Sequence, residues 1–196
     1  MKYSMIEIII LIVTSLLFLM VVVMIVESVV KKQQIFGRPS IPIVFFSMAK
    51  ICPFIILIFL LLKGLHVQIP TIIDFPEFVD YIALLLLFLG LTIAELTSFK
   101  LKKDLVFGLS DSQSHQLQTK GVYLISRHPF YMGFLMILIS SVLFVPNVFN
   151  IILLAISWIL HHLIMIKEEE FLTSKYGNVY KEYSNKVNRY ITIFKK

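Results

Sequence analysis

Charges almost never interrupt this chain for twenty residues at a time, and that pattern limits what it can fold into. Residues 6–26, 41–62 and 81–98 are apolar runs holding one ionisable residue each, Glu7, Lys50 and Glu95. A helix needs roughly 20 such residues to cross the ~30 Å apolar layer of a bilayer. A fourth run, 130–166, is too long for one crossing, and Pro146-Asn147 marks a turn inside it. It divides into two shorter helices, 130–145 and 148–166. The expected fold is an all-α integral membrane protein with five transmembrane helices, the last two a helical hairpin. The first run stands where a signal peptide would stand. Its apolar core is too long for one, and no small-residue cleavage site follows, so it is expected to be retained.

Composition excludes other classes. The chain is 58% hydrophobic and 15% charged, against ~45–50% and ~25% in ordinary soluble domains. A soluble enzyme and a disordered chain are ruled out. The single cysteine, Cys52, rules out an internal disulfide and reads as a small apolar residue. The net charge of +6 is explained by topology. With five spans, Lys31, Lys32, Arg38, Lys100, Lys102, Lys103, Lys120, Arg127 and the basic residues after 166 share one side. Lys2 and Lys63, with Asp74, Glu77 and Asp80, take the other. Positive charge stays inside, so the N-terminus is expected outside and the C-terminus in the cytoplasm. The lysine- and isoleucine-rich composition suits an AT-rich genome, and in a bacterium the chain would occupy the plasma membrane. The expected partner is the lipid bilayer; no motif points to nucleic acid.

Ionisable residues inside a span are costly in lipid and tend to face the bundle interior with a partner. Lys50 and Glu95 fall in the same half of the membrane and form a candidate pair. The plainer alternative is that Lys50 snorkels and Glu95 meets the interface.

Polar groups gather at the two edges of the hairpin. His115 to Gly133 precedes it and His161 to Val187 follows it. A hairpin returns its ends to one side, so Arg127, His128 and Tyr131 are expected near Glu168, Glu169 and Glu170. Pro129 suits a first helical turn, whose free N–H groups favour an anion. Arg127 adds a bidentate donor, and the acidic run offers acceptors for an ammonium or a ribose. The tyrosines present faces that attract cations. S-adenosylmethionine, with a carboxylate, an ammonium and a sulfonium, satisfies all of these, while nucleotides satisfy some.

Two strings carry a family resemblance. His115, Gly121, Tyr123, Arg127-His128-Pro129, Tyr131 and Gly133 follow H-x5-G-x-Y-x3-RHP-x-Y-x-G. Glu168-Glu169, Leu172, Tyr176-Gly177, Tyr180 and Tyr183 follow EE-x2-L-x3-[YF]G-x2-Y-x2-Y. Over residues 109–190 the chain resembles the isoprenylcysteine carboxyl methyltransferase family, within the wider phospholipid methyltransferase superfamily. The resemblance implies an S-adenosylmethionine-dependent membrane methyltransferase with a cytoplasmic C-terminal cofactor-binding region. Its acceptor would be lipophilic or lipidated and enter from the bilayer. The organisation expected is an N-terminal three-helix region, 1–108, and a methyltransferase region, 109–196. His115, Gly121, Tyr123, Arg127, His128, Pro129, Tyr131, Glu168 and Glu169 match the cofactor motif. Arg127, His128, Glu168 and Glu169 are also the catalytic candidates.

The family's arginine shortly before the acidic pair is missing here, where the sequence reads HHLIMIKEE. The family's Gly-Ile-Pro-Phe-type ending is replaced by VNRYITIFKK. Arg189 is the candidate to take over an acceptor carboxylate, and Glu95 is the other candidate substrate contact. O-methylation of a carboxyl or hydroxyl is the expected chemistry. Alternatives are phospholipid N-methylation and a sterol-reductase-like NADPH oxidoreductase. His161-His162 ahead of the glutamates follows no metal motif, so no metal is expected. Those histidines and Trp158 read as helix packing.

Overall fold

The structure, a computed structural model, describes residues 4–31, 38–101 and 117–192. Those residues form α1 (Met5–Lys31), α2 (Ile43–Gly64), α3 (Phe78–Leu101), α4 (Pro129–Phe144), α5 (Val148–Tyr176) and α6 (Asn178–Lys186). A 3-10 turn, Gly121–Leu124, precedes α4. His115 lies outside the described residues.

Among the described residues, four helical stretches are long and apolar enough to cross a membrane: Met5–Val23, Ile43–Gly64, Phe78–Lys100 and Val148–Tyr176. The expected fifth, α4, has 16 residues. At 1.5 Å per residue it spans ~24 Å, short of the ~30 Å apolar layer. It is sheltered by its neighbours. A Cβ on Gly90 would stand 2.5 Å from the Gly133 carbonyl, and one on Gly133 would stand 2.6 Å from the Gly90 carbonyl. Small residues let helix backbones meet where lipid provides no hydrophobic drive, so α3 and α4 touch main chain to main chain. Ser140 Oγ donates to the Ala83 carbonyl at 2.8 Å, and Ser141 Oγ donates to the Ile56 carbonyl at 2.9 Å. These hydroxyls fasten α4 to α3 and α2 inside the bundle.

The turn falls where Pro146-Asn147 predicted. Asn147 Oδ1 accepts from the Asn150 N–H at 2.8 Å and caps α5. Asn150 Nδ2 reaches back to the Ser141 and Val145 carbonyls at 3.2 and 3.0 Å, answering the free carbonyls that end α4. The core runs through Ile10, Leu57, Leu60, Ala83, Leu87, Ile137, Phe144 and Val145, so α1, α2, α3 and α4 share it. α5 seals a second cluster, Leu160 and Ile164 against Phe46 and Ala49 of α2.

α5 continues to Tyr176, ten residues past the end of its apolar run. The segment KEEEFLTSKY is polar but made mostly of residues that suit a helix, so hydropathy ends before the backbone does. Gly177 stops it with φ +56, a conformation that glycine adopts without penalty. The chain then turns back as α6, and Tyr180 is buried against the end of α5.

Candidate functional site

The loop before α4 is held by a strap from the chain's end. The Arg127 N–H donates to the Asn188 carbonyl at 2.9 Å, and the Thr192 N–H donates to the Ile125 carbonyl at 2.8 Å. Between them, Ser126 Oγ donates to the Arg189 carbonyl at 2.8 Å while accepting from the His128 N–H at 3.0 Å. Residues 125–128 and 188–192 are thus fastened into one ledge. Pro129 occupies the first turn of α4 and is buried.

Glu169 is the centre of what this ledge holds. Arg127 Nη2 donates to both its oxygens at 3.0 Å. Arg189 donates through Nε and Nη2, each at 2.8 Å. His128 Nε2 stands 3.1 Å from Oε1. The other ring nitrogen of His128, Nδ1, stands 3.6 Å from Glu168, so each nitrogen faces a carboxylate. Tyr131 Oη donates to Glu168 at 2.7 Å. Arg127 also donates through Nη1 to the Ser184 carbonyl of α6 at 3.1 Å. Arg127, His128, Tyr131, Glu168 and Glu169, expected together, are together; Glu170, expected with them, is exposed and pairs with Lys167 at 2.7 Å.

The other candidates divide. Tyr123 joins through its carbonyl, which accepts from Tyr183 Oη at 2.7 Å. Gly121, at φ +70, lies at the edge, where Lys100 Nζ packs over it and donates to the Lys120 carbonyl. Arg189 is in the cluster, where two of its five N–H donors go to Glu169. Glu95 is exposed on α3 and makes no contact with the cluster. Lys50 does not pair with it. Its ammonium lies 5.0 Å over the Phe46 ring, on a face of α2 within electrostatic reach of Glu168.

Electrostatics follow from the same contacts. The hydrogen bond to Glu169 raises the Arg189 guanidinium further above its usual value. Burial pushes the Tyr180 phenol up to about 12, with the charge of Glu169 adding to it. Burial also holds Tyr123 well above the usual phenol range, helped by the charge of Glu168, and does the same to Tyr183. These phenols therefore keep their proton at neutral pH and can donate, as Tyr183 does to the Tyr123 carbonyl. Two buried donor groups in the cluster have no partner, Arg127 Nε and Tyr180 Oη.

Sequence reasoning placed Tyr180 in the second family string and did not single out Ser126 or Ser184. Ser126 touches the RHP segment, which was its only signal; Ser184 contributes a backbone carbonyl, which no side-chain pattern reveals.

The model of the phospholipid methyltransferase family matches residues 79–179, from the start of α3 to the start of α6. The chain belongs to the phospholipid methyltransferase family. Two rice proteins named "Probable protein-S-isoprenylcysteine O-methyltransferase", from Oryza sativa subspecies indica and japonica, are each 30% identical over 122 residues. That stretch covers 58% of this chain and 64% of each relative, so the chain spans less than two thirds of their length. No solved structure matches at a significant level. The family match contains Arg127, His128, Tyr131, Glu168 and Glu169 but stops short of Arg189, which reaches the cluster from outside the matched segment.

Proposed function

We propose that this chain is an S-adenosylmethionine-dependent membrane methyltransferase that methylates a carboxyl or hydroxyl oxygen of a lipophilic acceptor. The observation that carries it is the Arg127–His128–Glu168–Glu169 cluster at the N-terminus of α4, in a phospholipid methyltransferase family chain. The residues present fit the cofactor. Arg127 Nε and Tyr180 Oη are buried donors without partners, suited to a carboxylate. Glu168 and Glu169 suit an ammonium or a ribose. When bound, the cofactor supplies a methyl carbon made electrophilic by its sulfonium.

Arg127 and His128 hold the carboxylate end, aided by the dipole of α4. Glu168 or Glu169 takes the amino group or ribose, with His115, Gly121 and Tyr123 on the adenosine side. Tyr131 Oη fixes the direction of Glu168. Arg189 and Glu95 are the acceptor contacts proposed. The protein's task is alignment of nucleophile and methyl in line, the main source of rate for such transfers. The five-helix topology with the cluster on the cytoplasmic side completes the proposal, α4 crossing under cover of α2 and α3. The family description itself favours a second reading, phospholipid N-methylation.

Calorimetry on the full chain in lipid nanodiscs tests the proposal. S-adenosylmethionine and S-adenosylhomocysteine should bind, and Arg127→Ala or Glu169→Ala should abolish binding. Binding of NADPH with no binding of either sulfur compound would overturn it in favour of a reductase. Labelled-methyl transfer to a lipid extract then separates O- from N-methylation by the product.

A further inference from the structure

A narrow cleft opens between α4 and α5 directly beside the cluster. Its walls are apolar, with Phe134, Leu138 and Met165 the main surfaces, and Tyr131 divides it from Glu168. Two polar side chains enter it from α5, Ser157 and His161, one helical turn apart. His161 packs against the rings of Tyr131 and Phe134, at 5.5 and 5.6 Å between centroids.

The tautomer of His161 is fixed by its partner. Nδ1 lies 2.7 Å from the Ser157 carbonyl, which can only accept, so Nδ1 carries the hydrogen. In the neutral ring Nε2 then presents a lone pair. Ser157 Oγ is buried with no partner. The apolar cleft therefore holds a proton acceptor and an unanswered hydroxyl, an arrangement that burial penalises unless something meets them. His128, Glu168 and Glu169, catalytic candidates from the sequence, are all engaged with one another or with arginine and tyrosine.

We propose that His161 Nε2 is the general base for an apolar acceptor bearing a hydroxyl, seated in this cleft with Ser157 Oγ as a second contact. The inference rests on the methyltransferase reading and narrows its acceptor from a carboxylate, which needs no base, to an alcohol or phenol. The hydroxyl oxygen bonds the methyl carbon, and the carbon–sulfur bond of the sulfonium donor breaks onto sulfur. The O–H proton passes to Nε2. The products are a neutral methyl ether, a neutral thioether and an imidazolium, which returns the proton to water. The cleft as folded has about 10 Å³ of free space, about one water. Tyr190 lines the cleft and is hydrogen-bonded with His162 Nδ1 at 2.6 Å and Trp158 Nε1 at 3.2 Å, so the acceptor enters by displacing it.

The test uses the full chain in phosphatidylcholine–phosphatidylglycerol nanodiscs. NMR of isotope-labelled histidine, assigned by loss of the signal in His161→Asn, should show Nδ1 protonated and Nε2 bare at neutral pH. A protonated Nε2 overturns the proposal without any turnover. With labelled S-adenosylmethionine and p-octylphenol, His161→Asn should lower kcat on the order of 10²–10⁴-fold, and added imidazole should restore part of the loss. The KM for the cofactor should move less than about twofold, as expected of a proton-transfer defect. N-acetyl-S-farnesylcysteine, a carboxylate acceptor, should lose at least ~10-fold less. Equal loss on both acceptors, no rescue by imidazole, or wild-type transfer to the carboxylate and not the phenol each overturn it. Failure of the wild type to bind S-adenosylmethionine would instead overturn the methyltransferase reading.

Discussion

Replacing Glu169 by Gln should loosen the whole ledge, and the size of the effect follows from its contacts. The carboxylate takes four arginine N–H···O contacts of 2.8–3.0 Å and faces His128. The partners are largely buried: the Arg127 side chain is 14% exposed, that of Glu169 13% and that of Arg189 27%. Gln keeps one acceptor oxygen, turns an NH2 toward a guanidinium, and leaves two cations uncompensated. Breaking a buried pair by removing one member costs ~3–5 kcal/mol. Arg189 is the more exposed cation and can turn to water, so the low end applies, about 3 kcal/mol. For a chain of this size that is a fall in Tm of roughly 6–12 °C, readable by thermal unfolding in detergent. Arg189→Met should lose about 1.5 kcal/mol, the worth of charge-assisted hydrogen bonds. In the double variant the Arg189 cation is no longer stranded, so its cost should fall short of the sum by about 1.5 kcal/mol. A Tm within 2 °C of wild type for Glu169→Gln, or strict additivity in the cycle, would refute the idea that this carboxylate anchors the strap.

Three further outcomes follow from the packing. Gly90→Val should cost on the order of 1–3 kcal/mol or more in Tm-based stability, because its Cβ meets the Gly133 main chain; a normal Tm would mean that α3 and α4 do not touch. At Gly177 an added Cβ would meet nothing within 4 Å, so Gly177→Ala should lose only the backbone cost of φ +56, about 1–3 kcal/mol, with no defect in packing by proteolysis. Glu95→Gln should change Tm by less than the equivalent of about 0.5 kcal/mol, since Glu95 is exposed; a large loss would restore the Lys50 pair.

The spans were legible because a run of apolar residues and its length are one-dimensional facts. The convergence of Arg127, His128 and Tyr131 on Glu168 and Glu169 was legible too, since it needs only a turn at Pro146-Asn147. What was hidden depends on geometry that side-chain identity does not record. Arg189 looked like a free cation because its partner lies 20 residues back, on α5. The shelter of α4 depends on Gly90 and Gly133 meeting, and neither glycine announces its partner. His161 read as packing, and only the direction of its Nδ1 bond shows which nitrogen is bare.

The two hairpin helices differ in length, and the difference explains where the cluster sits. From Val148 to Glu169 is 21 residues, ~32 Å of helix, close to the ~30 Å of the apolar layer. The first position at which α5 can carry an ion pair into polar surroundings is therefore about that of Glu168 and Glu169. α4 is ~8 Å too short to reach the same level. The turn of residues 125–128 precedes α4, and the strap of residues 188–192 satisfies its main-chain groups at Ile125 and Arg127. A longer α4 would place Arg127 beyond the carboxylates, and a shorter α5 would bury them in lipid. Arg189 comes to Glu169 because the segment that pairs with Ile125 and Arg127 carries it there.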